Sequence, residues 1–119
     1  MNTTVINSVR RAEANIKAYQ GDTFSPELTF TDNNDDPLDF TDVTFKMQIR
    51  KKDGTLMQTL VQDTDFTLSD PADDGKIFFG TIIDVDKGVY EYDLQGTWSD
   101  DSVITLLGGQ FEVVKEVTV

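Results

Sequence analysis

The sequence predicts an all-β chain folded as an antiparallel sandwich of about seven or eight strands. Three observations predict it. Apolar residues recur at every second position in segment after segment, the period of strands buried on one face. Clusters of Gly, Pro, Asp and Asn separate those segments at the spacing of a sandwich or small barrel. No segment carries a sustained helical stripe, and residues 7–14 offer at most a turn or two of helix.

The elements follow in order. Gly21-Asp22 precedes a first apolar piece at Leu28–Phe30, and the polar run from Asp32 to Pro37 ends it. Val43, Phe45, Met47 and Ile49 then alternate with Thr44, Lys46, Gln48 and Arg50. Asp53-Gly54 separates this run from 55–62 and predicts a tight hairpin, with a loop of two residues or of three. Phe66–Leu68 and Ile77–Phe79 flank a break marked by Asp70-Pro71 and Asp73-Asp74-Gly75. Tyr90, Tyr92 and Leu94 form the next alternating strand, and Ser99–Ser102 turns it into Val103–Leu107. Gly108-Gly109 interrupts that run and predicts a bulge or kink in the last strand pair. Phe111 and Val113 follow, with Val117 and Val119 on the same parity.

One pattern narrows the class. Asp86-x-Gly88-x-Tyr90-x-Tyr92 places a Gly-terminated turn before a strand whose first inward aromatic is Tyr. That is the setting of the tyrosine corner of immunoglobulin-like sandwiches, in which the phenol crosses back to a backbone group. An ordinary strand start with two core aromatics is the plainer alternative. On the corner reading Tyr92 takes the position that Cys holds in antibody domains, and packing replaces the disulfide.

Composition limits the chemistry. A length of 119 residues fits one domain, divided into an N-terminal arm, 1–16, expected to be partly flexible, and a single immunoglobulin-like domain, 17–119. The chain contains neither Cys nor His. Disulfides, thiolate metal sites, cysteine nucleophiles and a Ser–His–Asp triad are therefore excluded. The net charge is −12, the wrong sign for nucleic acid or for an anionic membrane surface. Residues 1–20 hold three bases and one acid, against seven bases and 21 acids in the remainder. The mildly basic arm is suited to solvent or to an acidic neighbouring copy. No apolar run has signal-peptide or membrane-span length, so synthesis in the cytoplasm is expected.

Four groups of side chains merit a functional reading beside a bland one. Asp32, Asn34, Asp35, Asp36 and Asp39 open like a calcium loop, but Pro37 stands where the sharp-turn Gly belongs and no Glu occupies the twelfth position. A turn built from turn-forming side chains is preferred, and the same holds for Asp70, Asp73 and Asp74. Arg50, Lys51 and Lys52 are read as a solvated hairpin tip. Glu91 and Asp93 share the outward face of one strand, without the cleft that a glycosidase carboxylate pair needs. Trp98 and the Phe residues at 24, 30, 40, 45, 66, 78, 79 and 111 are read as core rather than as a carbohydrate platform, except that either Phe78 or Phe79 must face outward. No catalytic, cofactor-binding or metal-ligating residue is assigned, and no cofactor or small-molecule substrate is expected.

Gly21-Asp22-Thr23-Phe24, then 37–42 (Pro-Leu-Asp-Phe-Thr-Asp) leading into Val43–Arg50, Lys52-Asp53-Gly54, 88–94 (Gly-Val-Tyr-Glu-Tyr-Asp-Leu) and 109–118 (Gly-Gln-Phe-Glu-Val-Val-Lys-Glu-Val-Thr) occur in a distinctive order. In that order and spacing, over about residues 17–119, the chain resembles the small immunoglobulin-like proteins of tailed bacteriophages and prophages, such as baseplate-upper-protein-like or tail-fibre N-terminal modules. The resemblance implies a non-enzymatic virion component in tail, baseplate, neck or head surface. Its implied partners are other virion proteins and copies of itself. Baseplate upper proteins carry a long region after this domain, so a stand-alone component is the expected variant. Residues 1–16 and the edge around 111–119 are the expected docking elements. A bacterial surface or secreted module binding carbohydrate or protein is the alternative.

Overall fold

A computed structural model describes residues 3–7, 12–32 and 34–115, with side chains from residue 12 onward. The strands are β1 (Thr3–Asn7), β2 (Ala12–Glu13), β3 (Ile16–Tyr19), β4 (Thr23–Phe24), β5 (Glu27–Thr31), β6 (Thr44–Arg50), β7 (Leu56–Val61), β8 (Phe66–Leu68), β9 (Lys76–Phe79), β10 (Thr81–Ile82), β11 (Gly88–Thr97) and β12 (Val103–Val114), with a 3-10 turn at Ala72–Asp74. Seven of them, β5 to β9, β11 and β12, are the expected strands. The excess consists of β1, β3 and three two-residue pieces.

The chain forms an immunoglobulin-like sandwich. One sheet has the order β1-β5-β9-β8, and the other runs β2-β12-β11-β6-β7 with β3 also on β12. The short pair β10–β4 lies apart from both. The order follows from side-chain parity. On β6, Phe45, Met47 and Ile49 are buried while Thr44 and Lys46 are exposed. On β11, Tyr90, Tyr92 and Leu94 are buried between the exposed Glu91 and the half-buried Asp93 and Gln95. A one-residue slip in either strand would turn those apolar groups into water.

Two features depart from a purely antiparallel sandwich. β1 pairs with β5 in parallel, Thr3 opposite Glu27 through Asn7 opposite Thr31. β2 and β3 pair with β12 in parallel, Ala12 opposite Leu107 and Ile16 opposite Phe111. The expected arm at 1–16 is therefore built into both sheets over its described residues, because each sheet presents an edge whose N–H and C=O groups need partners. Residues 12 and 13 are strand rather than helix.

The hairpin between β6 and β7 has a three-residue loop. Lys51 N–H donates to Thr55 O at 2.8 Å and Gly54 N–H to Lys51 O at 2.9 Å, leaving Lys52, Asp53 and Gly54 at the tip. Gly54 has φ 95°, the left-handed position that such a loop demands.

The bulge of the last strand pair is not at the glycines. Leu94 lies opposite Leu107 and Gln95 opposite Thr105, so Leu106 is the extra residue. Leu106 and Leu107 are consequently both buried. Gly108 and Gly109 stay in register with Asp93 and Tyr92. Gly109 serves a different need, since a Cβ there would lie 2.6 Å from Ala14 O, where the chain passes from β2 to β3.

Aromatic contacts tie the layers together. Phe30, Phe40, Phe45 and Trp98 form one chain of neighbouring rings, with centroids 5.6, 4.8 and 6.4 Å apart. Phe66, Phe79, Phe24, Phe111 and Tyr92 form a second, at 5.2, 5.4, 5.7 and 5.9 Å. Seven of the eight Phe are buried; Phe78 is the partly exposed member of the Phe78–Phe79 pair. Tilted and edge-on rings contribute about 0.5–1.5 kcal/mol per pair beyond area burial.

Candidate functional site

Gly88 ends the turn after Asp86, and β11 then carries Tyr90 and Tyr92 into the core. Tyr90 Oη donates to Asp86 O at 2.7 Å. This four-residue closure is the tyrosine corner. Tyr92 Oη reaches instead to Ala14 O at 2.6 Å, 78 residues away in sequence. It links the centre of β11 to the break between β2 and β3, across β12. Asn15 Oδ1 accepts from Gln110 N–H at 3.2 Å, and Ala14 N–H donates to Gly108 O at 3.0 Å. Both tyrosines thus have structural tasks.

The acidic loop is a set of turns. Asp32 Oδ1 accepts the N–H groups of Asn34 and Asp36 at 2.8 and 3.0 Å. Asp39 Oδ1 accepts the hydroxyl and the N–H of Thr41 at 2.6 and 2.9 Å. Asp53 accepts Thr55 N–H at 2.9 Å, and Asp100 accepts the hydroxyl and N–H of Ser102 at 2.6 and 3.0 Å. These bonds favour the ionised carboxylate. The Thr41 hydroxyl, then its N–H, lowers the Asp39 pKa; the Thr55 N–H lowers that of Asp53; the Ser102 hydroxyl, then its N–H, lowers that of Asp100. Asp70, Asp73 and Asp74 are exposed around the 3-10 turn, in which no side chain caps the N-terminus. Among the described residues, no three acids converge into a group that would hold a metal ion.

Glu91 and Asp93 lie on the outer face of the β12-β11-β6-β7 sheet, opposite Arg50 and Gln48 of β6. With Glu13 they border a polar surface depression of about 320 Å³ floored by Gly109. Arg50 is directed along its own strand and into the hairpin, donating to Gln48 Oε1 at 2.5 Å and to Gly54 O at 3.1 Å. Glu13 and Glu91 are exposed, so solvent screens them.

A second depression, about 480 Å³, runs along the free side of β3. Ile16, Ala18, Phe24, Pro26, Leu28 and Phe79 supply its apolar lining, with Lys17 and Asp22 at the margin. Sequence reasoning missed this groove. Its lining is drawn from β3, β4, β5 and β9, and such a meeting of separate segments leaves no periodic signal.

The expected docking elements divide. Residues 3–7 and 12–16 are engaged as described. Phe111–Val114 form no edge, because they lie between β11 and β3; residues 116–119 fall outside the described part. Among the described residues, β1 and β8 are the outer strands of one sheet, and β7 on one side and β2 with β3 on the other are those of the second. Leu56 and Val61 on β7 are both 48% exposed. Gln58 between them accepts Asp84 N–H at 2.8 Å and donates to Ile82 O at 3.2 Å, which covers the middle of that edge. No helix among the described residues is long and apolar enough to cross a membrane.

No protein family and no curated protein matches the chain. Solved structures with similar features include CopC from Methylosinus trichosporium OB3b, at 12% identity and a TM-score of 0.41, over 63% of this chain and 66% of that one. Extracellular domains 3-5 of Drosophila OTK align at 22% identity and a TM-score of 0.34, over 95% of this chain and 36% of that one. Superpositions this loose transfer no property, and the fold assignment stands on strand order and the tyrosine corner.

Proposed function

We propose that this protein is a non-enzymatic virion component of a tailed bacteriophage or prophage, acting through protein–protein contacts. The observation that carries the reading is the ordered series of strand and turn motifs from Gly21 to Thr118, which resembles the small immunoglobulin-like proteins of such particles. The side-chain chemistry is consistent with it. Asp32, Asp39, Asp53 and Asp100 close turns, Tyr90 and Tyr92 brace the scaffold, and the surface offers strand edges and one charged sheet face. Such edges bind partners by strand addition, main chain giving affinity and alternate side chains giving specificity. The preferred partners are other virion proteins and further copies of this chain, in the symmetric arrangements that repeated copies favour.

The test is co-purification. An epitope-tagged chain, expressed in a host that produces the particles, is expected to band with intact particles on a density gradient and to be absent from particle-free lysate at that density. A tagged chain that stays wholly in the free-protein fraction defeats the reading. Saturable binding to a glycan array by the free chain would favour the carbohydrate-binding module instead.

A further inference from the structure

β1 occupies the outer edge of its sheet and has β5 as its strand partner. Residues 8–11, Ser-Val-Arg-Arg, link it to β2 on the opposite sheet. From the geometry of this first strand we infer that residues 3–7 of one copy add in parallel to β5 of a second copy, so that the chain self-associates by exchanging β1. The inference does not depend on the virion reading.

Four observations carry it. The inter-strand pairing of β1 is with one element, from Thr3 opposite Glu27 to Asn7 opposite Thr31. A unit of that kind forms the same bonds within a chain or between chains, which makes exchange a low-cost route to association. Only residues 8–11 separate β1 from β2 in the sequence, and short connections invite swapping. Thr3, Thr4, Val5 and Ile6 are all β-branched, so the segment favours an extended state before it docks. The charge pattern also fits. The tether holds Arg10 and Arg11, while residues 21–119 hold seven bases and 21 acids. Acidic bodies repel at close range, and a basic crossing segment between two of them offsets that repulsion. With β1 withdrawn, β5 would present a five-residue edge above the buried Leu28 and Phe30, which a second copy's strand is equipped to cover.

The chain has no cysteine, so introduced thiols report without background. Val5 and Thr29 are register partners. A Val5→Cys chain is mixed with a mass-tagged Thr29→Cys chain and oxidised gently. Exchange predicts a disulfide-linked heterodimer that grows with protein concentration, exceeding by on the order of tenfold the yield from Val5→Cys mixed with Asp100→Cys. The double variant Val5→Cys/Thr29→Cys separates the alternatives. If it closes within one chain while the mixture gives no more heterodimer than the Asp100 control, β1 belongs to its own body and the inference is overturned. Absence of any cross-link in either experiment overturns it as well, because β1 then does not pair with β5.

Discussion

Tyr90 and Tyr92 stand two residues apart on β11, face the same core, and each gives its hydroxyl to a backbone carbonyl. Their reach differs. Tyr90 closes a loop of four residues onto Asp86, while Tyr92 bridges to Ala14, 78 residues away in sequence. The corner depends on a turn that local residues encode. The bridge depends on three separate segments meeting, and Gly109 permits the meeting because Ala14 O occupies the space of a side chain. The same chemistry therefore secures local geometry at one end of the strand and long-range topology at its centre.

The long-range bridge is most vulnerable at Gly109. Gly109→Ala forces a Cβ against Ala14 O, at a backbone φ of 151° that L-residues rarely adopt. A loss of about 3 kcal/mol is expected from overpacking and backbone strain together, read by urea denaturation. A loss below about 1 kcal/mol would mean that the β2–β3 crossing relaxes freely.

Next in size is Tyr92→Phe, expected to cost about 2 kcal/mol by leaving the Ala14 carbonyl without this donor. Tyr90→Phe removes the same kind of bond and is expected to cost about 1–1.5 kcal/mol. Hydrogen exchange separates the pair. Tyr92→Phe should deprotect amides of 14–20 along β12, and Tyr90→Phe those of 86–90. Equal patterns from both variants would remove the distinction between bridge and corner.

Thr31 is the opposite case. Its Oγ1 is buried with no hydrogen-bond partner among the described residues, in contrast to both tyrosine hydroxyls. Thr31→Val keeps the shape and removes the unsatisfied group. It is expected to be neutral or to stabilise by up to about 1 kcal/mol in thermal melts.

The smallest effect is acid dependence. Asp39, Asp53 and Asp100 have folded pKa values lowered from 3.8 by their Thr and Ser partners. The unfolded chain then binds these protons first, so their contribution is present above the ordinary value and is lost as pH falls through the folded values. A triple Asp→Asn variant should show a shallower decline in melting temperature below pH 3.8. An unchanged decline would assign the acid sensitivity to other carboxylates.

The alternating strands were legible in their own residues. Phe45, Met47 and Ile49, or Tyr90, Tyr92 and Leu94, declare their inward face through a period of two, which each residue reads from its immediate neighbours. The acidic turns were favoured there too, and the corner was offered beside a plainer strand start, because Asp32, Asp39 and Tyr90 find partners within four residues. Relations between distant segments came from the packed fold alone. Whether residues 1–16 dangle or pair, where the bulge falls between Leu106 and Gly109, and how a groove opens beside β3 all depend on which edges meet. Every unpaired edge offers the same N–H and C=O groups. The choice among them is made by how the buried faces stack, and local spacing holds no record of that.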